Sequence, residues 1–224
     1  MHQPEQLYSE GGTLIYDIDG TIYEDWPERR LAIELALGRK LNVKIGESLH
    51  DFVKVPESMT QEQFRQHLQH LDSGKLMMSN TPKENAAEVI KKWSGKYKTV
   101  YLTSRLAVSP DGYRTDHKLL EIFERDGFPL PDGNGVTLFM RLDKAQSPTD
   151  FKREQIRSTI IPHMSPLGGI GDRIQDARVY GEFGIYPIIF NKPRFQGKKM
   201  PEKTILVRDW KEVDDAISYL TKQG

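Results

Sequence analysis

Two groups of acidic residues and a few polar partners carry what chemistry this 224-residue chain can do. Asp17 and Asp19 are separated by one residue and followed by Gly20-Thr21, directly after the β-rich run Thr13-Leu14-Ile15-Tyr16. Residues i and i+2 of a strand share a face. Here the strand is ending, and Gly20 lets the chain turn and re-aim the second carboxylate. Two carboxylates at one strand tip repel each other, so either a bound cation relieves the repulsion or one of them keeps its proton. Far along the chain, Gly171-Asp172 is followed by Asp176. A helix starting at Arg173 makes Asp172 its N-cap and places Asp176 one turn inside, so that both face one point. Acids on two parallel strands are hard oxygen ligands suited to Mg²⁺, which takes a few carboxylates and keeps waters. Thr103-Ser104-Arg105 closes another β-rich run and offers a hydroxyl to a phosphate oxygen. Lys152 stands 20 residues before Asp172, and beside Asp17 it would stabilise the acid's charge and neutralise a phosphoryl oxygen. Taken singly, each feature also has an ordinary structural reading: an Asp-Gly turn, a capping aspartate with a solvated acid, a polar turn, a solvated lysine.

These residues need elements to bring them together. Short runs rich in branched or aromatic residues at 13–16, 99–102, 136–140, 167–171 and 185–190 are bounded by Gly, Asp or Asn, as buried strands are. Helix-start signals lie between them. Thr81-Pro82-Lys83-Glu84 forms a capping box with proline at the first helical position, ahead of Ala86, Val89, Ile90 and Trp93 and a stop at Gly95. Ser147-Pro148-Thr149-Asp150 opens another helix, expected to end before Pro162. Strand–helix alternation implies an α/β fold of parallel strands with crossover helices, covered on both faces. Active sites of such sheets lie at the carboxyl ends of the strands, where all of the residues above stand. Residues 22–80 exceed a single crossover helix. Asp25-Trp26-Pro27-Glu28 caps a helix through about Leu41, and Thr60-Gln61-Glu62-Gln63 caps a second with Phe64, His67, Leu68 and Leu71 on one face. The expected organisation is a core of residues 1–22 and 81–224 with a small helical insert, 23–80, over the sheet edge.

Hydrophobic residues at 37% and charged residues at 29% support a packed core. Lys plus Arg (32) balances Asp plus Glu (32), which removes any global electrostatic argument for nucleic acid or an anionic membrane. The absence of cysteine excludes disulfides, thiolate zinc sites and a cysteine nucleophile. Residues 1–11 carry no apolar run after a basic start, and no stretch approaches the roughly 18 apolar residues of a membrane span. A soluble, cytoplasmic protein with no membrane partner is expected.

In order and spacing, the four sites resemble the motifs of the haloacid dehalogenase (HAD) superfamily of phosphotransferases. The strand ending Asp17-Ile18-Asp19-Gly20-Thr21 is similar to its first motif, Thr103 to its second, Lys152 to its third and Gly171 to Asp176 to its fourth. Lys144, 28 residues before Asp172, competes for the third motif and fits it less well. The resemblance covers residues 12–190 and implies a Rossmann-like, three-layer parallel sheet with a helical cap inserted after the first strand. It implies a Mg²⁺-dependent phosphomonoesterase. Asp17 would attack phosphorus and form an aspartyl-phosphate, and Asp19, with its pKa raised by burial beside Asp17 and Asp172, would act as acid and then base. Mg²⁺ would take Asp17, the Asp19 backbone carbonyl and Asp172, with Asp176 as a further ligand. Thr103, Lys152 and the Gly20 and Thr21 amides would hold the phosphoryl oxygens. A second Asp in the first motif favours hydrolysis over the ATPase branch.

Two narrower likenesses exist. Leu138 to Arg141 followed by Pro148 to Lys152 is similar to the phosphatase domain of polynucleotide kinases, and Leu102 to Arg105 is similar to nucleotidases. Gly168-Gly169 in the fourth strand allow close backbone approach. In capped members the insert screens substrates, so Tyr23, Trp26 and Phe52 are either base-stacking residues or cap core. His67 and His70 are taken as packing or surface residues, and Met77-Met78 as core or hinge. The basic stretch 191–203, with Lys192, Arg194, Lys198, Lys199 and Lys203, is a solvated loop or a cationic rim that draws anionic substrate. Ser104, Arg105 and Arg141 are candidate substrate contacts. The expected substrate is a small phosphorylated metabolite, with a nucleotide among the candidates. The alternatives are a 3′-phosphatase on nucleic-acid ends, phosphoryl transfer to an alcohol, and a non-catalytic binding protein of the same fold.

Overall fold

Thr13-Leu14-Ile15-Tyr16 forms a strand with all four side chains buried, because it lies at the centre of the sheet. The computed structural model describes residues 11–41, 59–133 and 135–222, so Phe52 lies outside the described residues, as does the Arg194 side chain. In chain order the elements are β1 (Thr13–Tyr16), β2 (Tyr23–Glu24), α1 (Trp26–Leu37), α2 (Gln61–Asp72), β3 (Thr81–Pro82), α3 (Ala86–Ser94) and β4 (Lys98–Leu106). There follow α4 (Thr115–Arg125), β5 (Val136–Arg141), α5 (Pro148–Gln155), β6 (Pro166–Gly171), α6 (Ile174–Glu182), β7 (Tyr186–Phe190), β8 (Ile205–Val207) and α7 (Trp210–Leu220).

Six strands pair in the order β5-β4-β1-β6-β7-β8, every pair parallel. The chain steps outward from β1 through β4 to β5, then returns to the other side of β1 and continues outward from β6. The carboxyl end of β1 is therefore the topological switch point, where such sheets hold their ligands. Alternation along the strands sorts the two cores. Leu14, Tyr16 and Tyr101 join Phe123 and Trp210 on one face, while Ile15, Val100 and Leu102 join Phe151, Ile160 and Tyr180 on the other. The Rossmann-like three-layer expectation holds, and all five strands expected from sequence are present.

Several boundaries differ from expectation. Thr81-Pro82 does not open a helix; it pairs antiparallel with Tyr23-Glu24 as a two-stranded ribbon, and α3 starts after Asn85 in the left-handed region (φ 64°). The helix begun by α5 does not stop before Pro162. It passes through a π turn at Ile156–Ile160 and continues over Ile161–His163, so the ring is met by a ladder already offset from α-helical register. The insert has the two helices expected. The first ends at Leu37, short of Leu41, because Gly38 takes the left-handed cap. The second carries the full Thr60–Gln63 capping box. Trp26 packs with Ile33, Leu37, Leu41 and Met59, and Tyr23 is 2% exposed against Phe123, so both serve as core.

Candidate active site

Asp17 follows the last residue of β1 and donates its amide to the Ile170 carbonyl of β6 at 2.9 Å, which fixes it between the two strands. Gly20 (φ 73°) turns the chain, and a Cβ there would stand 2.5 Å from Asp172 Oδ2, so only glycine lets the turn approach that carboxylate. Asp172 is not the N-cap of α6. Arg173 takes that position and its amide donates to Asp176 Oδ2 at 3.1 Å, which turns Asp176 back toward the tip of β6. Carboxylate oxygens of Asp17, Asp172 and Asp176 consequently lie within 4.8 Å of one another, all three residues buried.

Two lysines meet this negative charge. Lys152 on α5 is 5% exposed, and its Nζ donates to Asp17 Oδ1 at 2.7 Å and to Asp176 Oδ1 at 2.8 Å. Burial alone would lower its pKa, but the two acids outweigh that and raise it. Lys192 reaches Asp172 Oδ2 from the basic stretch after β7. Burial raises the Asp17 pKa to about 7; Lys152 opposes the rise while Asp176 and Asp172 add to it. Lys144, the competing candidate, lies apart from this cluster. It pairs with Asp72 at the end of α2 (2.7 Å), on the protein surface.

Asp19 belongs to a separate network. At the tip of β4, Met140 of β5 lies opposite Thr103 and Arg141 opposite Leu106, so Ser104 and Arg105 are looped out of the ladder. Arg105 Nε thereby reaches Asp19 Oδ1 (2.7 Å) and Oδ2 (2.9 Å), and Thr103 Oγ1 donates to Asp19 Oδ2 at 3.3 Å. The raised pKa expected for Asp19 is thus not found. Burial pushes it up, but the Arg105 guanidinium outweighs burial and holds it below the ordinary carboxylate range. Arg105, expected as a substrate contact, is committed to two acids, Asp19 and Glu28. The Gly20 and Thr21 amides, expected to hold phosphoryl oxygens, are spent within the turn on the carbonyls of Tyr23 (2.9 Å) and Ile18 (3.2 Å). Thr21 contributes instead through its hydroxyl, 3.3 Å from Asp17 Oδ2.

A cavity of about 180 Å³ opens over these groups, and its lining brings Asp17, Asp19 and Lys152 together with Ser104, Arg105 and Arg141. Residues of the insert, Asp25, Glu28, Arg29, Leu71 and Asp72, close its other side. Arg141 donates Nη1 to the Gln146 carbonyl at 2.6 Å and forms no ion pair among the described residues. Sequence reasoning missed Glu28, Asn80 and Arg29. Glu28 sits three residues after Asp25, a spacing that reads as helix capping and hides its second use.

No family model and no curated protein sequence matches the chain. Solved structures do. A haloacid dehalogenase-like hydrolase of Streptococcus pneumoniae is similar over 93% of this chain and 98% of its own, at 14% identity and a TM-score of 0.62. The magnesium-bound HAD-hydrolase YfnB of Bacillus subtilis covers 94% of this chain and 100% of its own, at 12% identity and 0.59. Protein tyrosine kinase A of Mycobacterium tuberculosis covers 93% and 99%, at 15% identity and 0.64. The chain has the HAD-like fold. A fold that also carries a tyrosine kinase does not name a reaction, so function has to be argued from the site.

Proposed function

We propose that the chain is a Mg²⁺-dependent phosphomonoester hydrolase acting on a small phosphorylated metabolite through an aspartyl-phosphate on Asp17. The observation that carries the reading is the buried cluster of Asp17, Asp172 and Asp176 oxygens within 4.8 Å, bridged by Lys152, at the switch point of the sheet. Three hard anionic donors in a buried pocket suit a small divalent cation better than a third amine, and Mg²⁺ is the choice for all-oxygen ligands. Asp17, Asp172, Asp176 and the Asp19 carbonyl would hold it. When bound it neutralises the approach of an anionic ester to anionic side chains.

The protein's own groups supply the rest. Asp17 presents a carboxylate oxygen to phosphorus, and Lys152 fixes that carboxylate and stands ready for a phosphoryl oxygen. Thr103 and the looped-out Ser104 border the same space. Asp19 gives a proton to the departing alkoxide and takes one from the water that cleaves the aspartyl-phosphate, so each turnover returns both acids to their starting state. A cavity of about 180 Å³ is below the roughly 300–1,000 Å³ of drug-sized sites, which supports a small leaving alcohol. The insert, as a cap, would set that limit. No described helix is long and apolar enough to cross a membrane.

Hydrolysis of a chromogenic phosphate ester with Mg²⁺ and with EDTA, in wild type and Asp17→Asn, tests the reading. Turnover should need Mg²⁺ and fall at least about 10³-fold in the variant, roughly 4 kcal/mol of barrier. Undiminished turnover by Asp17→Asn rejects the nucleophile.

A further inference from the structure

The buried acid Glu28 plays no part in the chemistry above, yet its placement joins two parts of the molecule. It lies in the first turn of α1, just after β2 leads the chain into the helical insert; Asn80 lies just before β3 leads it back. Glu28 is 1% exposed and Asn80 5%. The two residues tie the outgoing and returning crossings together, for the Glu28 amide donates to Asn80 Oδ1 at 3.3 Å and Asn80 Nδ2 donates to Glu28 Oε2 at 2.8 Å. Both Glu28 oxygens then receive Arg105, Nη1 on Oε1 at 2.9 Å and Nη2 on Oε2. The adjacent edge of the same guanidinium, Nε together with Nη2, holds Asp19.

A planar fork with five donors can serve two carboxylates on two edges at once, whereas an ammonium cannot fix both orientations. A carboxylate buried this deeply persists only with its partners in place. Glu28 therefore fixes the plane of the Arg105 guanidinium, and that plane fixes Asp19. We propose that Glu28 and Asn80 form a hinge strut, two positioning residues that transmit the position of the helical insert to Asp19 through Arg105. For its kinetic consequence, though not for its geometry, this rests on Asp19 being the acid–base group of the phosphatase.

The test pairs two esters and one resonance. Ethyl phosphate loses a poor leaving group that must take a proton as the P–O bond breaks; p-nitrophenyl phosphate loses a phenolate that needs none. In Glu28→Gln and Asn80→Ala, kcat/KM, which reports phosphoryl transfer to Asp17 and not the later hydrolysis common to both esters, should fall about 10- to 100-fold for ethyl phosphate and by less than about 3-fold for p-nitrophenyl phosphate. In parallel, the Arg105 Nε–H signal of the ¹⁵N-labelled protein should shift and lose its exchange protection in both variants. Equal losses of kcat/KM on both esters, or an Arg105 Nε–H signal unmoved in both variants, overturns the strut. Asn80→Ala retains the buried carboxylate and carries the test if Glu28→Gln fails to fold. A wild type that hydrolyses neither ester rejects the phosphatase reading alone, and the Arg105 signal then decides the strut.

Discussion

Replacing Lys152 with methionine is the sharpest perturbation of the site, because one buried ammonium faces two of the three clustered acids. Its side chain is 7% exposed and its bonds to Asp17 and Asp176 are 2.7 and 2.8 Å. Two charge-assisted bonds at about 1.5–3 kcal/mol each agree with the roughly 3–5 kcal/mol lost when one partner of a buried pair is removed. For a chain of this length about 1 kcal/mol moves Tm by 2–4 °C, so Lys152→Met should melt about 6–20 °C below wild type at pH 7 in EDTA.

The pH dependence has a definite sign. Asp17 titrates at about 7 when folded against an ordinary value of 3.8. The folded chain thus binds more protons in that window, and this group's contribution to stability falls as pH rises through it. Lys152 is what holds that pKa down, so its loss moves the window upward and the deficit should be larger at pH 8 than at pH 5. Mg²⁺ should stabilise each protein against its own EDTA form, by about 2.7 kcal/mol at a hundredfold excess over that protein's Kd. Scanning calorimetry in EDTA and in Mg²⁺ reads all three quantities. Lys144→Ala is the control, since its pair with Asp72 is 58% and 31% exposed and such pairs contribute about 0–1 kcal/mol. A Lys152→Met Tm within about 2 °C of wild type, or a deficit that shrinks as pH rises, refutes the reasoning.

Gly20→Ala forces a side chain into the left-handed region at a cost of about 1–2 kcal/mol and places its Cβ against Asp172 Oδ2. Mg²⁺ affinity by calorimetric titration should weaken about tenfold, or 1.4 kcal/mol, and an unchanged Kd would show that Asp172 does not hold the ion. Burial, with Arg29 and His70 nearby, holds the His67 pKa below its ordinary value. The unfolded chain therefore takes up a proton first as pH falls through the range below 6.5, and stability is lost there. His67→Gln should show a smaller fall in Tm between pH 7.5 and pH 5 than wild type; an equal fall assigns the acid sensitivity elsewhere.

The sheet was legible in the sequence because its strands are buried on both faces and read as short apolar runs, and because glycine and aspartate mark their ends. Asp17, Asp172 and Asp176 were legible for the same reason: each lies at or just beyond a strand tip, and topology does the converging; Lys152, on a helix, was singled out only by the resemblance to the third motif. What sequence could not show was how the backbone spends its polar groups. The Gly20 and Thr21 amides are consumed in the turn that makes the motif, a fact visible only once Ile18 and Tyr23 are seen to accept them. Thr81-Pro82 satisfied every local rule for a helix start, and a ribbon partner 58 residues earlier outweighed them. Arg105 was placed correctly at a strand end, but its direction depends on a two-residue bulge in β4 that no periodicity announces. The helix Thr115–Arg125, the edge strand Ile205–Val207 and the helix Trp210–Leu220 went unread; none of the three carries a residue of the motifs that drew attention.

The two carboxylates of the first motif, one residue apart, have been drawn into different electrostatic surroundings. Asp17 is pushed up to about 7 by burial, with two further acids adding to the rise, while Asp19, also buried, is clasped by Arg105 and held down. Pairs of acids with separated pKa values are how one site runs nucleophilic and acid chemistry together. On the phosphatase reading the order in this state is inverted, since the nucleophile should be the ionised partner and the proton donor the neutral one. Positive charge added among Asp17, Asp172 and Asp176 lowers the first, which is what a bound divalent cation would do there. For Asp19 direction matters as much as charge: Arg105, held in plane by Glu28 and Asn80, aims the carboxylate that must meet the leaving oxygen, and an Asp19 released from that clasp would hold a proton more readily but lose its aim.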